Sequence, residues 1–282
     1  MPETLCKRIL AIHDLSGFGH TSLMAAIPLL YRLGIRVCAL PTALLAANTD
    51  YPDPVWMDLS PHQEEFLAYW QQLGLRFDAI YSGFLASPGQ AESLAKILPG
   101  IKRDGTLLLV DPVMADNGSL YSFYDASMVP ALRELVRQAD IITPNYTEAL
   151  LLAGWDPGTP MKDNASLELC RTLAELGPRH VVITSLPGTE PNSLEVLHYD
   201  NSALSRYPYR IEPGVHPGAG DCFATLLLAG CVNGHGIPRS LQAAVRIMTR
   251  AIAEPLPIGA DWREGIALER VLEWDLHRYY RN

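Results

Sequence analysis

From Arg8 onwards the chain alternates short apolar runs with longer segments of helical spacing, and this alternation limits its fold more than any other feature. The runs RILAIHD (8–14), IRVCALPT (35–42), FDAIYSGFL (77–85), TLLLVDPV (106–113), IITPN (141–145) and VVITS (181–185) read as strands. Between them lie helix patterns: TSLMAAIPLLYRLG (21–34), closed by Gly34; HQEEFLAYWQQLG (62–74); and SPGQAESLAKILPG (87–100), with Ser87 as N-cap and Pro88 at the first helical position. YDASMVPALRELVRQAD (124–140), YTEALLLAG (146–154) and NASLELCRTLAELGPRH (164–180) continue the series. LEVLHYD (194–200) reads as a further strand and hairpin. One helix begins in HPGAGDCFATLLLAG (216–230), another covers SLQAAVRIMTRAIAE (240–254), and AANTDYPDPVWMDLSP (46–61) is expected to be a loop.

Strands alternating with helices of these lengths imply βαβ units and a mainly parallel sheet, an α/β fold. Strands that are apolar throughout imply a sheet covered on both faces. No repeat, low-complexity segment or Gly/Ser linker interrupts the pattern, so residues 1–282 read as one domain.

Open α/β sheets bind ligands beyond the carboxyl ends of their strands. Asp14, Asp111, Thr143, Asn145 and Thr184 each follow such an end. They are expected to share one edge of the sheet, although polar residues also commonly begin loops.

Composition excludes several classes. The formal net charge is −9 and no block of Lys and Arg occurs, which argues against nucleic acid and anionic membranes as partners. Cys6, Cys38, Cys170, Cys222 and Cys231 are odd in number and form no C-x-x-C pair, so reduced thiols in a cytoplasmic protein are expected. No apolar run reaches the length of a membrane span, and the N-terminal stretch has no signal-type apolar core. The P-loop, G-x-G-x-x-G, G-x-S-x-G and H-E-x-x-H patterns are all absent.

The stretch PGAGD places Gly218, Ala219, Gly220 and Asp221 at a helix start. Small residues there let backbone N–H groups approach an anion, and the helix dipole adds to the attraction. Asp221 could accept a proton from an attacking hydroxyl, or could simply cap the helix. In VDPVMADNGSLY, Asp111 ends a buried strand and Asp116 follows on the loop; both could hold Mg²⁺ beside a phosphate, or belong to a turn. Asn145 and Glu148 stand three residues apart at a strand–helix junction, where Glu148 could order Mg²⁺ waters or complement the helix dipole. Thr184 and Ser185 are either hydroxyl donors to phosphate or turn residues. His13 and His20 flank the first loop, and lone histidines are more often structural than catalytic.

Taken in order, ILAIHDLSGFGH, ALPTALLAANTDY, YSGFLAS, VDPVMADNGSLY, ADIITPNYTEALLLAG, VVITS and GAGDCFA resemble the pyridoxal kinase branch of the ribokinase-like superfamily. The opening resembles a subgroup identified as pyridoxamine kinases. The resemblance implies a three-layer αβα sandwich with a central, mainly parallel sheet. It also implies ATP-dependent phosphorylation of the 5′-hydroxymethyl group of pyridoxal, pyridoxine or pyridoxamine, with Mg²⁺, often a monovalent cation such as K⁺, and usually a homodimer. On this resemblance Asp221 is the catalytic base, and Gly218, Ala219 and Gly220 form the anion hole. Asp111, Asp116, Thr143, Asn145, Glu148, Thr184 and Ser185 serve ATP and the metal, with Asp111, Asp116 and Glu148 on the metal itself. Thr49 contacts substrate from a lid segment around 42–55. Two positions depart from the family pattern. Asp14 stands where many pyridoxal kinases carry a Ser against the pyridine ring, and Phe84 stands where a Tyr is common. Both bear on the preferred vitamer. The alternatives are a hydroxymethylpyrimidine kinase of the same superfamily, which often has Cys at the place of Asp221, and a non-catalytic nucleotide-binding regulator.

Overall fold

The computed structural model describes residues 6–158, 165–188, 190, 193–210 and 214–281. In chain order its elements are β1 (Arg8–Ser16), α1 (Ser22–Arg32), β2 (Arg36–Leu45), β3 (Trp56–Asp58), α2 (Ser60–Gln72), β4 (Ala79–Ser82), α3 (Pro88–Ile101), β5 (Leu107–Val110), β6 (Ala115–Asp116), β7 (Ser119–Leu120), α4 (Met128–Val136), β8 (Ile141–Ile142) and α5 (Tyr146–Ala153). There follow α6 (Ala165–Ala174), β9 (His180–Pro187), β10 (Ser193–Tyr199), β11 (Leu204–Arg210), α7 (Ala219–Val232), α8 (Ile237–Ala253), a 3₁₀ turn (Trp262–Glu264), α9 (Leu268–Glu273) and α10 (Leu276–Arg281).

Nine strands form one sheet in the order β11-β10-β9-β8-β5-β4-β1-β2-β3. The six from β9 to β2 run parallel, and antiparallel partners close both sides: β10 and β11 on one, β3 on the other. Each strand alternates its side chains between two apolar layers. Leu10 and Ile12 of β1 pack with α2 to α6, while Ile9 packs with α1, α7 and α8. Burial on both faces is why the strands carry no polar alternation, and the result is the expected αβα sandwich.

The structure corrects several boundaries. The expected loop at 46–61 contains β3, whose three residues pair antiparallel with Ala43–Leu45 and are all exposed. The prolines at 52 and 54 signal a turn but not the short edge strand after it. Helix α4 starts at Met128 rather than Tyr124, because the Asp125 carboxylate folds the preceding residues into a turn by accepting the Ser127 backbone N–H and hydroxyl. Strand β8 stops after Ile142, ahead of Pro144, which has no N–H for the ladder; Asn145 and Thr184 resume it as an isolated bridge. Ser87 does cap α3, accepting the Gln90 N–H at 3.2 Å. The start expected for α6 at Asn164 lies outside the described residues.

Candidate active site

The parity that sends Ile9, Tyr81, Leu109 and Ile141 to the α7 side of the sheet also sends His13, Asp111 and Thr143 there, at the carboxyl ends of β1, β5 and β8. Helix α7 starts above this edge. Gly218 is its N-cap, with φ +76°, and a Cβ on it would meet the His20 carbonyl oxygen at 2.3 Å. That position therefore requires glycine for both conformation and space. The Ala219 N–H is taken by the His216 carbonyl at 3.1 Å, so the expected three-residue anion cradle narrows by one amide. Gly220 has open space where a Cβ would project. The amides of Gly220 and Asp221, in the first turn, have no partner within the helix.

Asp221 does not cap α7. Its Oδ2 accepts the Ser22 backbone N–H at 2.7 Å, and its Oδ1 lies 2.8 Å from His13 Nε2. The starts of α1 and α7 thus converge on one carboxylate. Ser22 adopts φ +54°, a left-handed conformation outside glycine's usual monopoly, and in that conformation its N–H meets the acid.

His13 joins two acids. Its Nδ1 lies 2.9 Å from Asp14 Oδ1, and Asp14 Oδ2 accepts the Ser16 hydroxyl at 3.1 Å. His13, Asp14 and Ser16 are all buried. The β1–β2 register slips between His13 and Leu15, an irregularity that re-aims side chains at a strand end. The amides of Asp14 and Phe84 also lie 3.0 and 3.2 Å from Nδ1 and would favour an unprotonated nitrogen there. A carboxylate oxygen at each ring nitrogen favours the protonated ring more strongly than two neutral amides disfavour it. Burial works against the charged ring, but the Asp221 charge and the hydrogen bonds to Asp14 and Asp221 push its pKa up to about 10. In return, Asp221 is held below the usual carboxylate range: burial works to raise it and the His13 charge prevails.

A second acidic group lies beside the first. Burial, then the charge of Asp221, pushes Asp111 up to about 7. Glu148 is driven well above its ordinary value by burial and by Asp111. Asn145 and Glu148 form a reciprocal capping box: Asn145 Oδ1 accepts the Glu148 N–H and Glu148 Oε2 accepts that of Asn145, each at 2.9 Å. Glu148 Oε1 accepts the Met114 N–H at 2.9 Å, while Asn145 Nδ2 donates to the Ala115 carbonyl at 2.7 Å. Oε1 of Glu148 and Nδ2 of Asn145 therefore fasten residues 114–115 to the start of α5, while Oε2 closes the cap. Asp116 is exposed at the β6–β7 turn, and Asp50 on the 46–55 segment is raised by burial and then by the Asp116 charge.

Among the described residues no group of three or more His, Cys, Asp or Glu is placed to hold a metal ion alone. Mg²⁺ usually takes one or two carboxylates, with phosphate oxygens and waters completing its shell. Asp111, itself raised by burial and by Asp221, raises Glu148 in turn, and a cation would relieve such a run of buried acids, so Asp111 with Glu148 fits such an ion.

Thr184 and Ser185 end up at one wall of a cleft completed by Tyr209, Phe223, Met248 and Ile252, with Ala219 and Gly220 at its end. Ser185 has φ +59°. Phe84 is buried, and its ring centroid lies 5.9–6.2 Å from those of Trp56, Phe123 and Tyr124. Thr49 is exposed beside buried Asn48, which ties its segment to the Arg263 carbonyl at 2.6 Å. Asp14 has a partner on each oxygen, His13 on Oδ1 and the Ser16 hydroxyl on Oδ2.

Sequence reasoning passed over His13. The available signal was its position: an ionisable residue where the β1 alternation calls for a buried side chain, followed directly by an acid. Its partner Asp221, 208 residues away, could be supplied only by the fold.

Comparisons with known proteins identify the family and the fold. The family model described as phosphomethylpyrimidine kinase matches residues 27–264. The pyridoxal kinase PdxY of Pseudomonas fluorescens is 31% identical over 88% of this chain and 86% of its own. A Bacteroides thetaiotaomicron structure, named for phosphomethylpyrimidine kinase and crystallised with pyridoxal, superposes with a TM-score of 0.90 at 36% identity, covering 97% of this chain and 96% of its own. The pyridoxal kinase of Lactobacillus plantarum superposes with a TM-score of 0.85 at 31% identity, over 95% and 96% of the two chains.

Proposed function

The chain belongs to the pyridoxal kinase family of the ribokinase-like superfamily, and on that premise we propose that it transfers the γ-phosphoryl group of ATP to the 5′-hydroxymethyl group of a B6 vitamer. One observation carries the reading: an ionised Asp221 stands beside the open amide turn at Gly220. In-line phosphoryl transfer needs donors for the transferring group and an acceptor for the hydroxyl proton.

Asp221 accepts the hydroxyl proton as the oxygen attacks phosphorus, and the amides of Gly220 and Asp221 stabilise the charge on the transferring phosphoryl. Gly218 sets the turn that aims them. Asp111, Thr143, Asn145, Thr184 and Ser185 line the nucleotide side, and the apolar walls at Phe223, Met248 and Ile252 suit an adenine ring. Asp111 and Glu148 would hold Mg²⁺, with Asp116 at the rim, and the ion would supply neutralisation of phosphate charge. Residues 42–55 act as the lid over the vitamer, with Thr49 on the substrate side and Phe84 against the ring. The whole chain is one catalytic domain.

Exposed Leu44 and Met57 are cross-strand partners, and with exposed Val55 they give the β3 edge an apolar strip that suits a homodimer face. Among the described residues no helix is long and apolar enough to cross a membrane. The cytoplasm is the proposed compartment.

The family model's name supports a second reading, phosphorylation of a hydroxymethylpyrimidine. The test is ATP turnover with pyridoxal, pyridoxamine, pyridoxine and hydroxymethylpyrimidine side by side, for the wild type and for Asp221→Asn. The expected result is turnover of at least one vitamer above the pyrimidine, with kcat lowered about 10²- to 10⁴-fold in the variant. Near-wild-type turnover by folded Asp221→Asn sinks the base assignment. Turnover of the pyrimidine alone replaces the substrate class.

A further inference from the structure

We infer that His13 is a positioning residue for phosphoryl transfer: an imidazole clamped between two acids that fixes the Asp221 carboxylate and takes Asp14 as its second partner. The inference rests on the proposed role of Asp221 as base. Three observations carry it. Both ring nitrogens lie within 3 Å of a carboxylate oxygen, at 2.9 Å for Asp14 and 2.8 Å for Asp221. The ring has no room to move: it packs edge-to-face on Tyr81 at 5.7 Å, and Gly83 lies so close that a Cβ there would be 2.0 Å from Cδ2. Asp221 has Oδ1 on His13 and Oδ2 on Ser22, a two-point hold that selects one orientation of the carboxylate.

The consequences concern both acids. A base that must reach one hydroxyl oxygen gains from a fixed orientation, since small displacements of reacting groups cost large factors in rate. The charged groups facing the ring are Asp14 from its own strand, Asp221 from α7 and Asp111 at the end of β5, with the un-ionised Tyr81 hydroxyl on β4. The acids outnumber the single cation, so loss of the imidazolium leaves Asp221 among like charges. Asp14, in turn, is engaged on both oxygens and is 3% exposed. It reads as the outer member of an Asp–His–Asp chain. The vitamer ring is then recognised by other groups at this edge, and Asp14 influences catalysis through His13.

Two measurements test this. The first is ¹⁵N NMR of the His13 ring in the unliganded wild-type protein at pH 7.5, where both nitrogens are expected to be protonated. A neutral tautomer overturns the inference whatever the enzyme does. The second is steady-state kinetics of His13→Gln and Asp14→Asn at saturating Mg²⁺–ATP, with thermal melts to verify folding. His13→Gln retains a side-chain donor towards Asp221 but no charge. Its kcat should fall about tenfold or more, and the acid limb of its kcat profile should move up by about one to three pH units. Asp14→Asn removes a like charge and leaves His13 paired with Asp221, so it should leave that limb in place or lower it, with kcat reduced and vitamer KM within about twofold. A vitamer KM raised tenfold or more in Asp14→Asn makes Asp14 a direct ring contact and overturns the assignment. So does a His13→Gln profile that superposes on the wild type. Failure of the Asp221 base reading shows separately, as retained turnover in Asp221→Asn.

Discussion

Gly83 and His13 are in backbone-to-ring contact: a Cβ built on Gly83 would lie 2.0 Å from Cδ2 and 2.1 Å from Nε2 of the imidazole. The glycine of the YSGF stretch is thus required by a residue seventy positions earlier. Gly83 has an ordinary backbone conformation, so the requirement is one of space alone.

Gly83→Ala should therefore displace a ring clamped at both nitrogens. Overpacking of this kind costs about 1–3 kcal/mol. Denaturant unfolding should report that loss, together with a drop in kcat. An alanine variant as stable and as active as the wild type would show that the ring can yield.

Two glycines, three and one residues before Asp221, behave oppositely. Gly218→Ala places a Cβ 2.3 Å from the His20 carbonyl oxygen at φ +76° and should lower both stability and activity. Gly220→Ala meets nothing within 4 Å and lies in the first turn of α7. It should leave the melting temperature unchanged or slightly raised, since alanine favours helix over glycine by up to about 1 kcal/mol. Its methyl group would instead occupy the space proposed for phosphate and raise the KM for ATP. Equal effects of the two substitutions on the melting temperature would contradict this division.

Glu148→Gln replaces an acceptor-only carboxylate with an amide whose NH₂ must face backbone donors of Asn145 or Met114. Leaving one buried donor unmet costs about 1–3 kcal/mol. The variant should melt lower, and release of the 114–115 segment should raise the KM for ATP more than it lowers kcat. Thermal denaturation and ATP titration together decide the matter; an unchanged melt would mean that the segment is held by other contacts.

The charge on His13 also predicts how stability varies with pH. Its folded pKa of about 10 lies above the ordinary 6.5, so the folded protein binds this proton more tightly than the unfolded chain does. The stabilisation is complete below about pH 6.5 and is lost as pH rises towards about 10. The stability difference between wild type and His13→Gln should decline across that window, by an amount on the order of 3–5 kcal/mol at the limit. Asp221, depressed in the folded state, acts in the opposite direction: its contribution is present above the ordinary carboxylate pKa and disappears as pH falls through its lowered value. Unfolding free energies measured from pH 6 to pH 10 for both proteins provide the check, and parallel curves would reject it.

Much of this was legible in one dimension because strand and helix periodicity are local properties. The alternation from Arg8 to Ala253 specified a parallel sheet covered on both faces, and strand-end residues such as Asp111 and Thr143 followed from parity along each strand. Ser87 could be read as a cap because a cap needs only its own three following residues. The short edge strand at Trp56–Asp58 could not, because its pairing depends on Ala43–Leu45 lying alongside. His13 shows the limit most clearly. By itself it is a single histidine at the end of a strand, indistinguishable from a packing residue. Only the tertiary fold brings α7 across the end of β1 and sets Asp221 against one ring nitrogen while Asp14 takes the other. Residue type and spacing determined which groups could do chemistry here. Their protonation states, and which acid answers to which partner, were decided by distances that exist only once the layers have packed.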